Sequence, residues 1–131
     1  KPDCIEKNQI GKIVARYEEH GLKLIAAKML HMNKEEAGKF YEIHRGKAFF
    51  DDLIDYIAAS PIFIMVLSGK DAVKKVREIM GATDPKKAAP GTIRKDFAQS
   101  IDRNAVHGSD SLENAAKEIN FFFATDELWP R

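Results

Sequence analysis

Cysteine is almost absent from this chain: Cys4 is the only one in 131 residues. A lone cysteine cannot close an internal disulfide, so the fold rests on its core, and the expected setting is a reducing compartment, the cytoplasm. A long apolar run is missing as well. The longest, Ile62 to Leu67, is far short of the ~20 residues that span a bilayer. Neither sign of charge dominates. A net charge of +1 and a pI of about 8.0 give no general reason to expect nucleic acid or an acidic membrane as partner, although charge can still cluster locally. Low-complexity stretches, internal repeats and long linkers are absent too. No G-x-x-x-x-G-K-[ST] loop, G-x-G-x-x-G turn or H-E-x-x-H pair occurs, so any phosphate chemistry must proceed by other means. No signal peptide is visible, and the first residue is Lys1 rather than methionine, which leaves room for a removed segment.

What is present suits one domain over residues 1–131: 44% hydrophobic residues can bury a core while 31% charged residues keep it dissolved. Ile10, Ile13, Val14 and Tyr17 recur at helical spacing, with Gly21 placed to close that helix. Leu22 to Met29 reads as a strand. Asn33 and Glu36 form a capping pair ahead of a helix with Ala37, Phe40, Tyr41 and His44 on one face. Phe50, Leu53, Ile54 and Ile57 mark another helix. Pro61 opens a continuously apolar strand, Ile62 to Leu67, expected to be central in a sheet. Ala72, Val76 and Ile79 form a helical stripe that Gly81 ends. Residues 82–104 show no period and read as a long loop, a feature that is usually functional in a compact domain. A short strand at Ala105 to His107 follows. Asp110 and Glu113 then start a last helix, with Leu112, Ala115, Ala116, Ile119 and Phe122 facing inward. Three strands make a small sheet for so many helices. A strand ahead of Lys1 would complete a βαββαβ order, an α+β fold with helices packed on an antiparallel sheet. The domain is therefore expected to be N-terminally incomplete.

The segment Asn104 to Asp110 places His107 where a strand turns into a helix. Gly108 removes bulk beside the imidazole, and Ser109 and Asp110 offer caps and hydrogen bonds. Glu118, on the edge of the helical stripe, can reach inward and fix the ring's tautomer, which makes a neutral imidazole a good nucleophile. Taken alone, His-Gly-Ser-Asp fits a capped helix with a packed histidine better. His20 sits at a helix C-terminus, and His31 and His44 have no catalytic neighbourhood in sequence, so none of these receives a role. Arg77, Thr83 and Arg94, with Lys1, form a second group. Two arginines around one loop suit bidentate phosphate binding about as well as they suit solvated charges. In the Phe49-Phe50 pair one ring can stack on a base while the other joins the core; both being core is the plainer reading.

Lys1-Pro2-Asp3, Phe40-Tyr41, Phe49-Phe50, Arg77 to Thr83 (R-E-I-M-G-A-T), Pro90 to Arg94 (P-G-T-I-R) and Asn104 to Ser111 (N-A-V-H-G-S-D-S) together resemble the nucleoside diphosphate kinase family over essentially the whole chain. The last stretch is highly specific. The resemblance implies a ferredoxin-like fold and a ping-pong exchange, in which a nucleoside triphosphate gives its γ-phosphate to a histidine and a different diphosphate takes it away. By this resemblance His107 is the nucleophile, Glu118 orients it, and Ser109 bonds to that carboxylate. Arg77, Thr83 and Arg94 hold the phosphates. Lys1 and Asn104 contact the ribose and help position the phosphoryl group, with Tyr41 near His107. Phe49 stacks on the base, and Leu53 and Ile101 line that slot. The resemblance implies Mg2+ carried in by the nucleotide phosphates rather than a protein metal cage, with Asp110 touching it at most through water. It also implies a homo-oligomer built from dimers, tetramer or hexamer, and the short tail after Phe123 looks like the bacterial form.

Two departures from the family pattern stand out: its first strand, just before K-P-D, is absent, and Ala48 replaces the proline common before Phe-Phe. An idle nucleotide-binding paralogue and a protein phosphotransferase working through the same His107 are the competing readings. The complete set from Lys1 to Glu118 favours the active kinase.

Overall fold

The computed structural model describes all residues, 1–131. Pro2 opens α1 (Pro2–Glu6), where its missing N–H leaves nothing unsatisfied. At 5 residues this helix is too short to show a period in sequence. α2 (Ile10–Glu19) buries Ile13 and Tyr17 and is closed, as expected, by Gly21 at φ 83°. β1 (Lys23–Leu30) starts one residue later than its pattern suggests, because Leu22 turns into the core. α3 (Lys34–Phe40) begins at the expected capping box: Asn33 Oδ1 accepts from the Glu36 N–H at 2.8 Å and Glu36 Oε1 accepts from the Asn33 N–H at 3.1 Å. It stops at Phe40. A 3-10 turn over Glu42–His44 takes His44 off the helical face the pattern assigned to it. α4 (Phe50–Ala58) buries Phe50, Ile54, Tyr56 and Ile57.

β2 (Ile62–Ser68) pairs antiparallel with β1, Ile62 opposite Leu30 and Ser68 opposite Lys23. The sheet has these 2 strands, so β2 is not flanked on both sides as its apolar run suggests. Along its flank an apolar slot of about 220 Å³ runs past Ile64, Val66, Val76, Ile119 and Phe122. α5 (Ala72–Met80) ends at Gly81, φ 83°, again as expected.

Three sequence expectations fail beyond this point. The region 82–104 is not all loop: α6 (Ile93–Phe97) lies within it, capped by Thr92 Oγ1, which accepts from the Lys95 N–H at 3.3 Å. The expected strand at Ala105 to His107 is a tight turn instead. Ala105 sits at φ 72°, and the Val106 N–H donates to the Asn104 carbonyl at 2.8 Å, the pattern of a γ-turn. The carbonyls of Asn104 and Val106 accept from the Arg94 side chain, so no ladder forms there. Finally, α7 (Leu112–Phe122) is capped by Ser111, whose Oγ accepts from the Asn114 N–H at 3.0 Å, not by Asp110. Its inward stripe narrows to Ala115, Glu118, Ile119 and Phe122; Ala116 is exposed and Leu112, on the first turn, is 79% exposed.

The largest buried cluster joins Cys4, Ile13, Tyr17, Met80, Ile93, Ala105 and Val106, and so ties α1, α2, α5 and α6 to the γ-turn. A second packs α3 against α4 through Met32, Ala37, Phe50, Ile54 and Ile57. A third, Ala26, Val66 and Phe123, covers one face of the sheet. The turn holding His107 therefore rests on core, while its next residues open onto a cleft.

Candidate active site

His107 leaves the γ-turn and lines a cleft of about 1560 Å³. Its Nε2 faces both oxygens of Glu118, at 3.0 and 3.1 Å, and Ser109 Oγ donates to Glu118 Oε1 at 2.5 Å. Burial works to raise the Glu118 carboxyl. The hydrogen bonds from His107 and Ser109 and the histidine's charge outweigh it, so the group sits below its ordinary range and stays anionic. With Nε2 engaged, Nδ1 is the ring nitrogen without a partner in the chain. Gly108 leaves room for close packing: a Cβ there would fall 2.4 Å from the sulfur of the buried Met80 and 3.2 Å from Val76 Cγ1, so those side chains would have to shift. Two aromatic edges fix the ring plane, Phe40 at 5.4 Å and Tyr41 at 6.0 Å between centroids. Burial, then the Glu118 charge, pushes the Tyr41 phenol well above its ordinary range, so it stays neutral.

Arg94, Arg77 and Lys1 are among the cations that line the cleft with that histidine. Arg94 is 8% exposed and spends its donors on backbone: Nε to the Asn104 carbonyl at 3.2 Å, Nη1 to Gly81 at 3.2 Å and Nη2 to Val106 at 2.9 Å. Burial, then the Arg77 charge, lowers its pKa. Arg77 Nη1 donates to the Gly108 carbonyl at 3.1 Å, and Lys1 Nζ donates to Asn104 Oδ1 at 2.5 Å. Burial, then the Arg94 charge, brings Lys1 from 10.5 down to about 8. None of the three forms a salt bridge. Arg94 is buried, Lys1 half-buried and Arg77 exposed; a buried cation without a counter-ion is costly, and an anion with several oxygens is what would relieve it. Arg94 had been expected in a loop; it projects instead from α6, which explains how it is held so rigidly.

The far end of the cleft is open and apolar. Phe49 is 46% exposed and Ile101 55%, and Leu53 lines the same cleft. Every residue singled out from the sequence lines this cleft except Ser109, which stands behind Glu118. Thr83, Asn104 and Tyr41 lie on it with the rest. Sequence reasoning missed two neighbours. His44, given no role, sits between Tyr41 and Phe49, at 6.3 and 5.3 Å, and also lines the cleft. Phe40 touches His107. Phe40 enters the sequence reading only as part of a helical face and of the Phe40-Tyr41 stretch, and nothing local aims His44 at the cleft, since the 3-10 turn over Glu42–His44 does that. No group of three or more His, Cys, Asp or Glu side chains converges to hold a metal. Asp110 lies on the rim, its carboxylate held by Asn114 Nδ2 at 2.6 Å and lowered below its usual pKa chiefly by that bond.

The family model described as nucleoside diphosphate kinase matches residues 1–128. A nucleoside diphosphate kinase of Nitratiruptor sp. is 59% identical over 128 residues, 98% of this chain and 93% of that protein. One of Legionella pneumophila (strain Paris) is 60% identical over 131 residues, covering all of this chain and 93% of the relative. Among solved structures, the Aquifex aeolicus nucleoside diphosphate kinase superposes with a TM-score of 0.95 at 43% identity, over 98% of this chain and 93% of that one. The halophilic enzyme of Halobacterium salinarum, solved in complex with CDP, does so at 0.95 and 44% identity, over 100% of this chain and 89% of that one. The expected ferredoxin-like α+β fold is that of these neighbours, and the chain belongs to the nucleoside diphosphate kinase family.

Proposed function

We propose that this chain moves the terminal phosphate of a nucleoside triphosphate to a nucleoside diphosphate through a phosphohistidine on His107. The observation that supports it is the pairing of an oriented imidazole, Nε2 on Glu118 and Nδ1 free, with Lys1, Arg77 and Arg94 in the same cleft, none of them in a salt bridge. The Nδ1 lone pair forms a bond to the γ-phosphorus while the bond to the β–γ bridging oxygen breaks, and a nucleoside diphosphate leaves. The imidazole keeps its Nε2 proton, and Glu118 balances the positive charge that develops on the ring. In the second half a terminal oxygen of another diphosphate attacks the phosphorus and the histidine leaves.

Arg77, Arg94 and Thr83 receive the phosphates, Lys1 and Asn104 reach the ribose and the transferring group, and Phe49, Leu53 and Ile101 receive the base. Phosphoryl transfer needs positioning and charge neutralisation above all, which matches this wall of fixed donors. Mg2+ fits as an ion bound to the nucleotide phosphates, with Asp110 the one anionic side chain on the rim at the helix start to meet its water shell. When bound, it neutralises phosphate charge and holds the chain of phosphates in one conformation.

Three further elements belong to the same reading. Residues 1–131 act as one kinase domain, and a β-strand from further upstream fills the apolar slot beside β2, because that slot is lined by strand and helix side chains and the outer edge of β2 has no ladder partner. A chain carrying such a strand melts at a higher temperature than residues 1–131 alone; equal melting counts against it. The domain assembles as a homo-oligomer, with exposed Trp129 (72%) and Leu112 (79%) among the apolar surface available for contacts. The buried free thiol of Cys4 suits a reducing, cytoplasmic setting; no helix is long and apolar enough to cross a membrane.

The test is labelling. Incubated with ATP and magnesium, the protein takes up one acid-labile, base-stable phosphate per chain, which a second nucleoside diphosphate discharges. His107→Ala loses label and exchange but still binds nucleotide. Exchange by His107→Ala at the wild-type rate overturns the mechanism. A chain that binds nucleotide and never labels is an idle paralogue, and one that passes its label only to protein is a protein phosphotransferase.

A further inference from the structure

The γ-turn that aims His107 is an unfavourable conformation for a residue with a side chain, and something must hold it. Ala105 has φ 72° and is completely buried. Arg94 secures the two carbonyls flanking it, but cannot secure its N–H. That N–H donates at 3.0 Å to Asp3 Oδ2, across 102 residues of sequence. Asp3 is itself 5% exposed, on α1, two residues after Lys1. Its other oxygen accepts from the Tyr56 hydroxyl, and the Tyr56 oxygen in turn accepts from the Asp3 N–H at 3.3 Å. Tyr56 is 7% exposed and belongs to α4, the helix that begins at the base slot. The Arg103 guanidinium lies 4.0 Å over its ring. One buried carboxylate therefore ties together the segment bearing Lys1, the helix bearing Leu53 and the turn bearing Asn104 and His107. Asp3 faces neither Nδ1 of His107 nor any phosphate-binding guanidinium as a hydrogen-bond partner, so its work is done through other residues.

We propose that Asp3 is a positioning residue for phosphoryl transfer: clamped by Tyr56, its carboxylate holds the γ-turn at Ala105 and so sets Asn104 and His107 in register with Lys1. The proposal rests on His107 being the nucleophile. A carboxylate suits the task because it accepts from both the amide N–H and the phenol at once, and two fixed restraints define the direction of each bond. Strain held in this way is typical where a side chain must be presented to a reacting atom.

The experiment compares Asp3→Ala, Asp3→Asn and Tyr56→Phe with the wild type. Three quantities are read: thermal melting, nucleotide Kd, and the single-turnover rate of His107 phosphorylation at saturating ATP and magnesium, at pH 7. Asp3→Ala is expected to lose about 10- to 100-fold in the phosphorylation rate, the size of a lost charge-assisted hydrogen bond, with Kd changed by less than about threefold. Tyr56→Phe keeps the ring under Arg103 and frees one carboxylate oxygen; it is expected to lose about 3- to 10-fold in rate. Asp3→Asn retains an acceptor for Ala105 and recovers most of the rate lost in Asp3→Ala. Should Asp3→Ala fail to fold, the Tyr56→Phe rate decides alone. A folded Asp3→Ala that phosphorylates at the wild-type rate, or a Tyr56→Phe rate equal to wild type when Asp3→Ala does not fold, overturns the proposal. So does a fall in affinity that accounts for all the lost activity. A wild-type protein that never labels on histidine overturns the nucleophile assignment instead, so the two failures are told apart.

Discussion

The two ends of the cleft are built on opposite principles. At the phosphate end, Arg94, Asn104 and Ala105 are 8%, 8% and 0% exposed, and each is held by long-range hydrogen bonds. At the base end, Phe49 and Ile101 are 46% and 55% exposed and make no side-chain hydrogen bonds that would read a base edge. Charge has to be met at fixed positions, because misplaced donors lose most of their effect on a transition state. A base needs only a flat apolar partner, since every base has a π-face. On the proposed reading, rigidity is concentrated where the chemistry is common to all substrates, and looseness where the substrates differ.

The largest expected effect that breaks this contrast comes from Arg94→Ala. It removes a proposed phosphate donor, leaves the Gly81 and Val106 carbonyls without a partner and takes a second donor from the Asn104 carbonyl, so activity is expected to fall by well over about 100-fold and the melting temperature to drop with a loss of about 2–4 kcal/mol. Retained stability in a calorimetric scan would show that the three carbonyl bonds do not hold this end of the cleft. Arg77→Ala is cleaner, because Arg77 bonds only one carbonyl. Activity is expected to fall about 10- to 150-fold with little change in melting; unchanged kinetics would place the phosphates elsewhere.

Lys1 gives a smaller, pH-shaped effect. Its folded value of about 8 lies below the ordinary 10.5, so between these values the unfolded chain binds more protons and stability rises with pH, while below about 8 the buried ammonium is a cost. Phosphate oxygens prefer the ammonium, so nucleotide affinity moves the other way and declines as pH rises through about 8. Titration calorimetry from neutral to alkaline pH tests this, and Lys1→Met should flatten that limb. The smallest effect belongs to the loose end. Phe49→Ala loses about tenfold or less in affinity, the low end of a stacking contact, and loses it alike for purines and pyrimidines. A strong bias toward one base would mean that the open end reads bases after all.

Much of the site was legible because its logic is local. In Asn104 to Ser111 the histidine, the glycine that clears Met80, and the serines that reach Glu118 and cap α7 follow one another in sequence, and Glu118 is reached along one helix. A capping pair placed α3 and glycine stops placed α2 and α5 for the same reason, as an apolar stripe placed α4: such preferences act within a few residues. The elements read wrongly depend on distant partners. Ala105 to His107 looks like a strand by residue type, and becomes a γ-turn because Arg94 takes the flanking carbonyls and Asp3 takes the amide. α6 is too short to show a period, and Leu112 is apolar yet lies beyond the packed part of its helix. The sequence by itself determined which groups are the candidates for the chemistry and which short motifs present them. Only the tertiary structure decided that Arg94 is buried without a counter-ion, that His44 and Phe40 join the cleft, and that Asp3 and Tyr56 brace the turn. Hydrogen bonds spanning 102 and 53 residues leave no local pattern, because their strength depends on burial and direction that exist only once the chain has folded.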